Sequence, residues 1–147
     1  MLNCRVVSPF SAQTQYKAHG VFPLPAGFIT SFAFQNLAGP SYNATYTATA
    51  AEIIGLGRPL SGGATTVQGI PLVAPQTLFE DRVTRLDLRL SKAFTIQRFR
   101  IQANLDAYNA LNANSIRAVN STYGSAWTRP QQILDPRILQ VGGQITF

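Results

Sequence analysis

Charged side chains that can pair with one another recur at alternate positions in two nearby segments of the chain. They are Arg85, Asp87, Arg89, Arg100 and Asp106. Guanidinium and carboxylate groups form charge-assisted hydrogen bonds, and one planar guanidinium can bind both oxygens of a carboxylate. Because alternate residues of a β-strand lie on the same face, this spacing predicts strands that share one charged face.

Catalytic and metal chemistry have few candidate residues. His19 is the only histidine and Cys4 the only cysteine, which leaves no plausible zinc set. No nucleophile-turn signature accompanies His19, and the glycine-rich segment 55–63 lacks the Lys-Ser/Thr ending of a phosphate-binding loop. We therefore expect no enzyme activity and no cofactor. His19 is expected to be solvated, Cys4 to be a loop or edge thiol, and 55–63 to be a surface loop.

Five segments of alternating polarity must position the charged residues. They span residues 14–22, 28–35, 82–92, 99–109 and 137–147. In the last segment Leu139, Val141, Ile145 and Phe147 share one parity, while Gln140, Gly142, Gln144 and Thr146 share the other. A period of two predicts a strand with one apolar and one polar face. An arginine that faces lipid near mid-bilayer destabilises a barrel by about 2–4 kcal/mol. We therefore expect no charged residue among the positions of apolar parity.

Short and long connections alternate between these segments. The short ones are residues 23–27 and 93–98, and the long ones are residues 36–81 and 110–136. Outer-membrane barrels have short turns on the periplasmic side and long loops outside, and the alternation is typical of them. Residues 42–49 also alternate, and we expect them to form a small extracellular strand in the first long loop.

Five phenylalanines extend the pattern to the strand ends. All keep the apolar parity beside a short connection or at the C-terminus: they are Phe22, Phe28, Phe94, Phe99 and Phe147. Aromatic residues form girdles at the membrane–water boundaries of such barrels. The sequence therefore predicts an aromatic girdle at the inner boundary.

The composition agrees with alternating strands. Of the 147 residues, 46% are hydrophobic and only 12% are charged, about half the charged share of an ordinary soluble domain. The sequence has no run of about eighteen apolar residues that could form a spanning helix. The net charge is +6, but the basic residues are scattered, so nucleic acid is not an expected partner.

These observations predict an all-β fold, an antiparallel up-and-down meander that supplies the closing strands of a transmembrane β-barrel in the bacterial outer membrane. Residues 1–10 lack the basic head and apolar core of a secretory signal, so we expect the chain to be a fragment. Two alternatives stay open. One is a soluble β-sandwich that binds carbohydrate, and the other is a small porin-like barrel assembled from several copies.

Two groups of candidate site residues follow from this fold. The five charged residues would face the lumen, as a ladder of cross-strand pairs or as a surface that grips an inserted plug. In the second long loop, Tyr123, Trp127 and Arg129 are candidates for contact with an extracellular ligand, and packing within the loop is the alternative.

Several stretches together have an order and spacing that match one family over nearly the whole chain. They are residues 14–17, 24–25, 34–35, 39–40, 57–63, 82–89, 104–112, 127–130 and 144–147. With them the chain resembles the C-terminal end of TonB-dependent outer-membrane receptors, particularly the large carboxypeptidase-regulatory-like type abundant in Acidobacteria.

The resemblance implies a barrel of about twenty-two strands with a plug domain inside, which imports scarce ligands such as metal chelates or glycans. The implied partners are outer-membrane lipid, the remainder of the barrel with its plug, and the barrel-assembly machinery, whose recognition signal Phe147 would match. Energy for import would come from the TonB complex through an N-terminal segment outside this chain. The family has no catalytic residues to carry over.

Overall fold

The computed structural model describes residues 5–53, 55 and 57–147, and this part of the chain is all-β. It has one four-residue helix, α1, at Phe10–Gln13, and short 3-10 turns at Pro25–Gly27 and Ser61–Gly63. The described strands are β1 (Tyr16–Leu24), β2 (Phe28–Leu37), β3 (Ser41–Tyr42), β4 (Thr45–Thr49), β5 (Thr66–Pro71), β6 (Leu78–Phe79), β7 (Val83–Ile96), β8 (Phe99–Tyr108), β9 (Ile116–Val119), β10 (Pro130–Ile133) and β11 (Ile138–Thr146).

Five of these strands form the largest sheet, and they are the segments whose polarity alternates in the sequence. The order is β1-β2-β7-β8-β11, and every neighbouring pair is antiparallel. The prediction of an all-β fold with antiparallel sheets is therefore confirmed. Within the described residues β1 and β11 have one neighbour each, so the sheet is open at both edges and is not a closed barrel.

The strands run further into the short connections than the sequence predicts. β7 continues to Ile96, so the link predicted over 93–98 is reduced to a turn of Gln97 and Arg98. The link predicted over 23–27 is likewise reduced to a 3-10 turn. Neither asparagine nor glycine marks the turn after β7, where Gln97 takes the left-handed conformation (φ 53°) that those residues adopt most readily.

The two long connections fold into small sheets of their own. Between β2 and β7, β3 pairs with β6 and β4 pairs with β5; between β8 and β11, β9 pairs with β10. The strand predicted at 42–49 belongs to these loop hairpins and does not join the five-stranded sheet. Backbone hydrogen bonds from Thr45 N–H to Ser121 (2.8 Å) and from Tyr123 N–H to Thr45 (2.7 Å) tie the two connections together.

The register of the five-stranded sheet separates two faces, because residues directly opposite one another in the ladders lie on the same side. The apolar face collects one parity from all five strands. Its members are Tyr16, Ala18, Gly20, Phe22, Leu24, Phe28, Thr30, Phe32, Phe34, Asn36, Thr84, Leu86, Leu88, Leu90, Lys92, Phe94, Ile96, Phe99, Ile101, Ala103, Leu105, Ala107, Leu139, Val141, Gly143 and Ile145. The opposite side of the same strands is the polar face.

The apolar face carries one charged residue, Lys92, so the expectation of a parity free of charge is wrong at this position. Lys92 lies directly opposite Phe28 of β2 and Ala103 of β8. Its Nζ is 4.1 Å from the centre of the Phe28 ring and 5.2 Å from the centre of the Phe94 ring. Both distances permit cation–π attraction.

The five-stranded sheet has almost no core of its own. Among the described residues the buried apolar ones are Ala44, Ala48, Val119 and Leu134, and all four lie in the long connections. Many side chains of the apolar face remain exposed, and Val141, near the middle of β11, is 81% exposed. The described part of the chain therefore supplies no second layer that covers this face.

Candidate functional site

The five charged residues predicted as a group lie on the polar face of β7 and β8. The register places Arg89 directly opposite Asp106, while Arg100 lies opposite Thr95 near the short turn. Arg85 and Asp87 lie on the same face nearer the long connections. The sheet thus collects all five on one side but spreads them along its length.

Arg89 and Asp106 form a bidentate pair across β7 and β8. The guanidinium donates from Nε to Oδ1 of Asp106 and from Nη2 to Oδ2, the latter at 3.0 Å. Asp106 is only 4% exposed, whereas about half of the Arg89 side chain is exposed. A carboxylate withdrawn from water needs a charged, hydrogen-bonded partner, so the pair favours this register and leaves part of the guanidinium open to a further contact.

Arg85 and Asp87 pair along β7 rather than across strands. Nε of Arg85 donates to Asp87 at 2.9 Å, and Asp87 also accepts the backbone N–H of Asn109 at 2.9 Å. Arg100 makes no ion pair within the described residues. The interpretation as a ladder of cross-strand pairs therefore holds for Arg89 and Asp106 and is wrong for the other three.

Two open cavities lie beside these charged groups. One of about 270 Å³ is bounded by Ser31, Asp87, Arg89, Asp106 and Tyr108, among others. The other, of about 370 Å³, lies near the long connections, and its lining includes Arg85 together with Arg117, Gln35 and Leu134. Guanidinium and carboxylate groups line the first cavity, and guanidinium and amide groups line the second. Such groups suit a polar or charged protein segment.

Arg82 organises the long-connection end of the sheet, a role that the sequence pattern does not predict. Its Nη1 donates to the carbonyl of Ser11 and its Nη2 to that of Thr14, both at 2.8 Å, while Nε donates to Oδ1 of Asn36. The guanidinium also lies 5.5 Å from the centre of the Tyr16 ring. Arg82 thereby ties the segment before β1 to β2 and β7. The only signal in the sequence is an arginine at the start of an alternating segment.

Asn109 closes the base of the second long connection, and its role was also missed. Its Nδ2 donates to the carbonyls of Ala113 and Asp135, both at 2.8 Å, and its Oδ1 accepts the Ala113 N–H at 3.0 Å. The residue is 3% exposed and has φ 47°, a conformation that asparagine adopts more readily than most residues. The available signal was an asparagine directly after a strand.

Two of the three predicted ligand-contact residues lie together in the second long connection. The ring centres of Tyr123 and Trp127 are 5.7 Å apart, and Tyr46 from the first long connection meets Tyr123 edge-on at 6.5 Å. Trp127 donates from Nε1 to the carbonyl of Asn43 at 3.1 Å. Arg129 contributes backbone hydrogen bonds nearby. The aromatic cluster packs the connections together and still leaves Tyr123 half exposed.

Glu52 fixes the turn next to this aromatic cluster. Its carboxylate accepts hydrogen bonds from the Thr49 backbone N–H (2.7 Å), the Thr49 hydroxyl (3.0 Å) and the Tyr46 hydroxyl (2.8 Å). These bonds, the backbone one first, hold the pKa of Glu52 below its ordinary value of 4.5. The same carboxylate raises the pKa of Tyr46. Glu52 is therefore ionised at neutral pH.

The remaining candidates are dispersed. His19 is exposed on the polar face opposite Ala33, and Phe147, directly after β11, is 95% exposed. Cys4, and Leu56 of the glycine-rich segment, lie outside the described residues. Within residues 5–53, 55 and 57–147, no group of three or more His, Cys, Asp and Glu could hold a metal ion. The helical part of these residues has no stretch long and apolar enough to cross a membrane.

The fold and these contacts define an all-β protein whose main sheet has one uncovered apolar face and one charged face. Comparison with protein-family models, with curated proteins and with solved structures gave no match to this chain. A functional assignment therefore depends on the geometry of the sheet and its connections.

Proposed function

We propose that this chain forms part of the wall of an outer-membrane β-barrel. The observation that carries the proposal is the apolar face, which spans five strands, holds one charged residue and is not covered by any described residue. A contiguous apolar surface of this extent is rare on a soluble monomer. In a lipid bilayer it is what a strand-built wall requires.

Strand length and stagger support a wall that crosses a membrane. The five strands have nine to fourteen residues, and a tilted transmembrane strand needs about 9–11. Phe28, which begins β2, is level with Lys92, whereas Phe99, which begins β8, is level with Ile96. The β7–β8 turn thus projects beyond the β1–β2 turn. A displacement of this kind is needed when tilted strands close a barrel.

The connections at the two ends of the sheet support one orientation of the wall in the membrane. Both short turns lie at one end, and the long connections with their hairpins lie at the other. In bacterial barrels short turns face the periplasm and long loops face outward. Phe22, Phe28, Phe94 and Phe99 lie on the apolar face toward the short-turn end, where the proposal puts the inner membrane boundary.

We further propose that the complete barrel is a TonB-dependent receptor and that this chain has a non-enzymatic role in ligand uptake. The proposal draws on the sequence resemblance and on two features of the chain. The half-exposed guanidinium of Arg89 and the neighbouring cavity suit contact with an inserted plug. The half-exposed Tyr123 in the long connections suits contact with an external ligand. The open edges of β1 and β11 would pair with the other strands of the barrel.

The test compares Val141→Arg with Gln140→Arg, two adjacent exposed positions of β11 on opposite faces. The whole chain is diluted from denaturant into phosphatidylcholine vesicles, and the bound fraction is measured by flotation. We expect Val141→Arg to lower the partition coefficient at least about thirtyfold, because an arginine facing lipid costs about 2–4 kcal/mol. Gln140→Arg should bind like the unchanged chain.

A second measurement separates lipid contact from misfolding. In a Cys4→Ser background, a fluorescent label on a cysteine at position 141 should be quenched by lipids that carry a quencher in the acyl chain. The same label at position 140 should be protected. Equal quenching at both positions, or a vesicle-bound fraction near zero for the unchanged chain, would refute the proposal.

The open edges also fit one alternative, in which several copies of this chain close a small porin-like barrel. Eight strands are the usual minimum for a closed transmembrane barrel, and five strands per copy would need at least two copies. Cross-linking of vesicle-bound chain distinguishes the cases: a single cross-linked species of fixed size favours assembly from copies.

A further inference from the structure

The surroundings of Lys92 define a small site with mixed chemistry on the apolar face. Beside the lysine lies a groove of about 510 Å³ whose lining also includes Phe28, Leu90, Phe94 and Leu105. Almost all of the exposed surface within the groove is apolar. The site therefore combines an ammonium group with room for a hydrocarbon chain.

The ammonium group of Lys92 has capacity for a ligand. It carries three N–H donors, and among the described residues it has neither a carboxylate partner nor a hydrogen-bond acceptor. The rings of Phe28 and Phe94 hold it by cation–π attraction, which uses the positive charge but fills no donor. Lys92 is the one charged residue of the apolar face, and no carboxylate of the described chain pairs with it. Its ammonium group is therefore suited to bind an anion from the surroundings.

We propose that Lys92 and the adjoining groove bind an anionic phospholipid. The ammonium group contacts the lipid phosphate, and one acyl chain lies in the groove against Leu90 and Leu105. The site lies in the short-turn half of the sheet, near Phe28 at the start of β2, where the long lysine side chain can reach the headgroup level. This inference rests on the proposed function, since it needs the apolar face to contact lipid.

The experiment compares binding to two kinds of vesicle at fixed ionic strength. One is phosphatidylcholine alone, and the other is phosphatidylcholine mixed with phosphatidylglycerol. The whole chain should prefer the mixed vesicles. Lys92→Gln should lower this preference about fivefold, the factor expected from about 1 kcal/mol per lysine near an anionic surface, with binding to phosphatidylcholine retained. Lys92→Arg should keep the preference.

The matched control is Lys17→Gln, which removes the same charge from the polar face of β1. This variant should leave the preference for the mixed vesicles unchanged. Inorganic phosphate, added in place of other salt, should also leave the preference unchanged, because the site takes an amphiphile rather than free phosphate. Equal loss of preference in Lys17→Gln and Lys92→Gln, or an unchanged preference in Lys92→Gln, overturns the inference. Failure of the unchanged chain to bind either vesicle instead overturns the proposed function, and the inference with it.

Discussion

At the scale of single residues, some of the carboxylates each accept more than one hydrogen bond. The chain has only six acidic residues, and three of them accept at least two hydrogen bonds each: Asp87, Asp106 and Glu52. Each bond to an ionised oxygen is stronger than a neutral one. These three residues therefore hold a strand end, a strand pair and a loop turn in place.

Glu52 predicts a pH dependence in the first long connection. Its pKa is lowered in the folded chain, so its contribution to stability is complete above pH 4.5 and is lost as the pH falls through the lowered value. We expect the amide proton of Thr49 to shift with a midpoint below 4.5 in an NMR titration of the chain in detergent micelles.

Two variants check this assignment. Glu52→Gln should abolish the shift of the Thr49 amide, because the neutral amide side chain does not titrate. Glu80→Gln, a change elsewhere in the same connection, should leave it intact. A Thr49 titration that persists in Glu52→Gln would show that another group controls this turn.

At the scale of elements, Asn109 predicts how the second long connection depends on its base. Asn109→Ala removes three hydrogen bonds and places alanine at φ 47°. We expect a loss of about 1–3 kcal/mol in the free energy of unfolding, the cost of leaving buried backbone groups without partners. Denaturant titration of micelle-bound chain measures it.

Hydrogen exchange then locates the damage. In Asn109→Ala, the amides of β9 and β10 should exchange faster while those of β1 and β2 keep their protection. The control is Asn114→Ala in the same connection, an exposed residue, which should change neither stability nor exchange. Uniform acceleration over all strands would mean that Asn109 supports the whole sheet rather than one connection.

The alternation of the sequence predicts the strands of the main sheet well, because most of their side chains keep the polarity of the face on which they lie. Phe99, for example, begins β8 as predicted. The continuation of β7 to Ile96 was missed because the turn at Gln97 lacks the usual turn residues. The hydrogen bonds of Arg82 and Asn109 could not be predicted for another reason. Their partners include backbone groups that only folding brings close. A strand pattern holds no information on such partners.

At the scale of the whole molecule, the uncovered apolar face and two open edges predict behaviour in solution. We expect the isolated chain to aggregate in buffer, since exposed strand edges and apolar patches both promote association. A detergent that covers the apolar face should disperse it. Light scattering with and without detergent measures this, and a monodisperse monomer in plain buffer would contradict the membrane-wall proposal.

The contrast in link length has a consequence for the order in which the sheet forms. Each doubling of a loop adds about 0.6 kcal/mol of closure entropy, so joining β2 to β7 across residues 38–82 costs on the order of 3 kcal/mol more than joining β7 to β8 across Gln97 and Arg98. The hairpins β1–β2 and β7–β8 are therefore the kinetic units. We therefore predict that these two hairpins form early and independently, that β2 then pairs with β7, and that β11 is added after its own long closure.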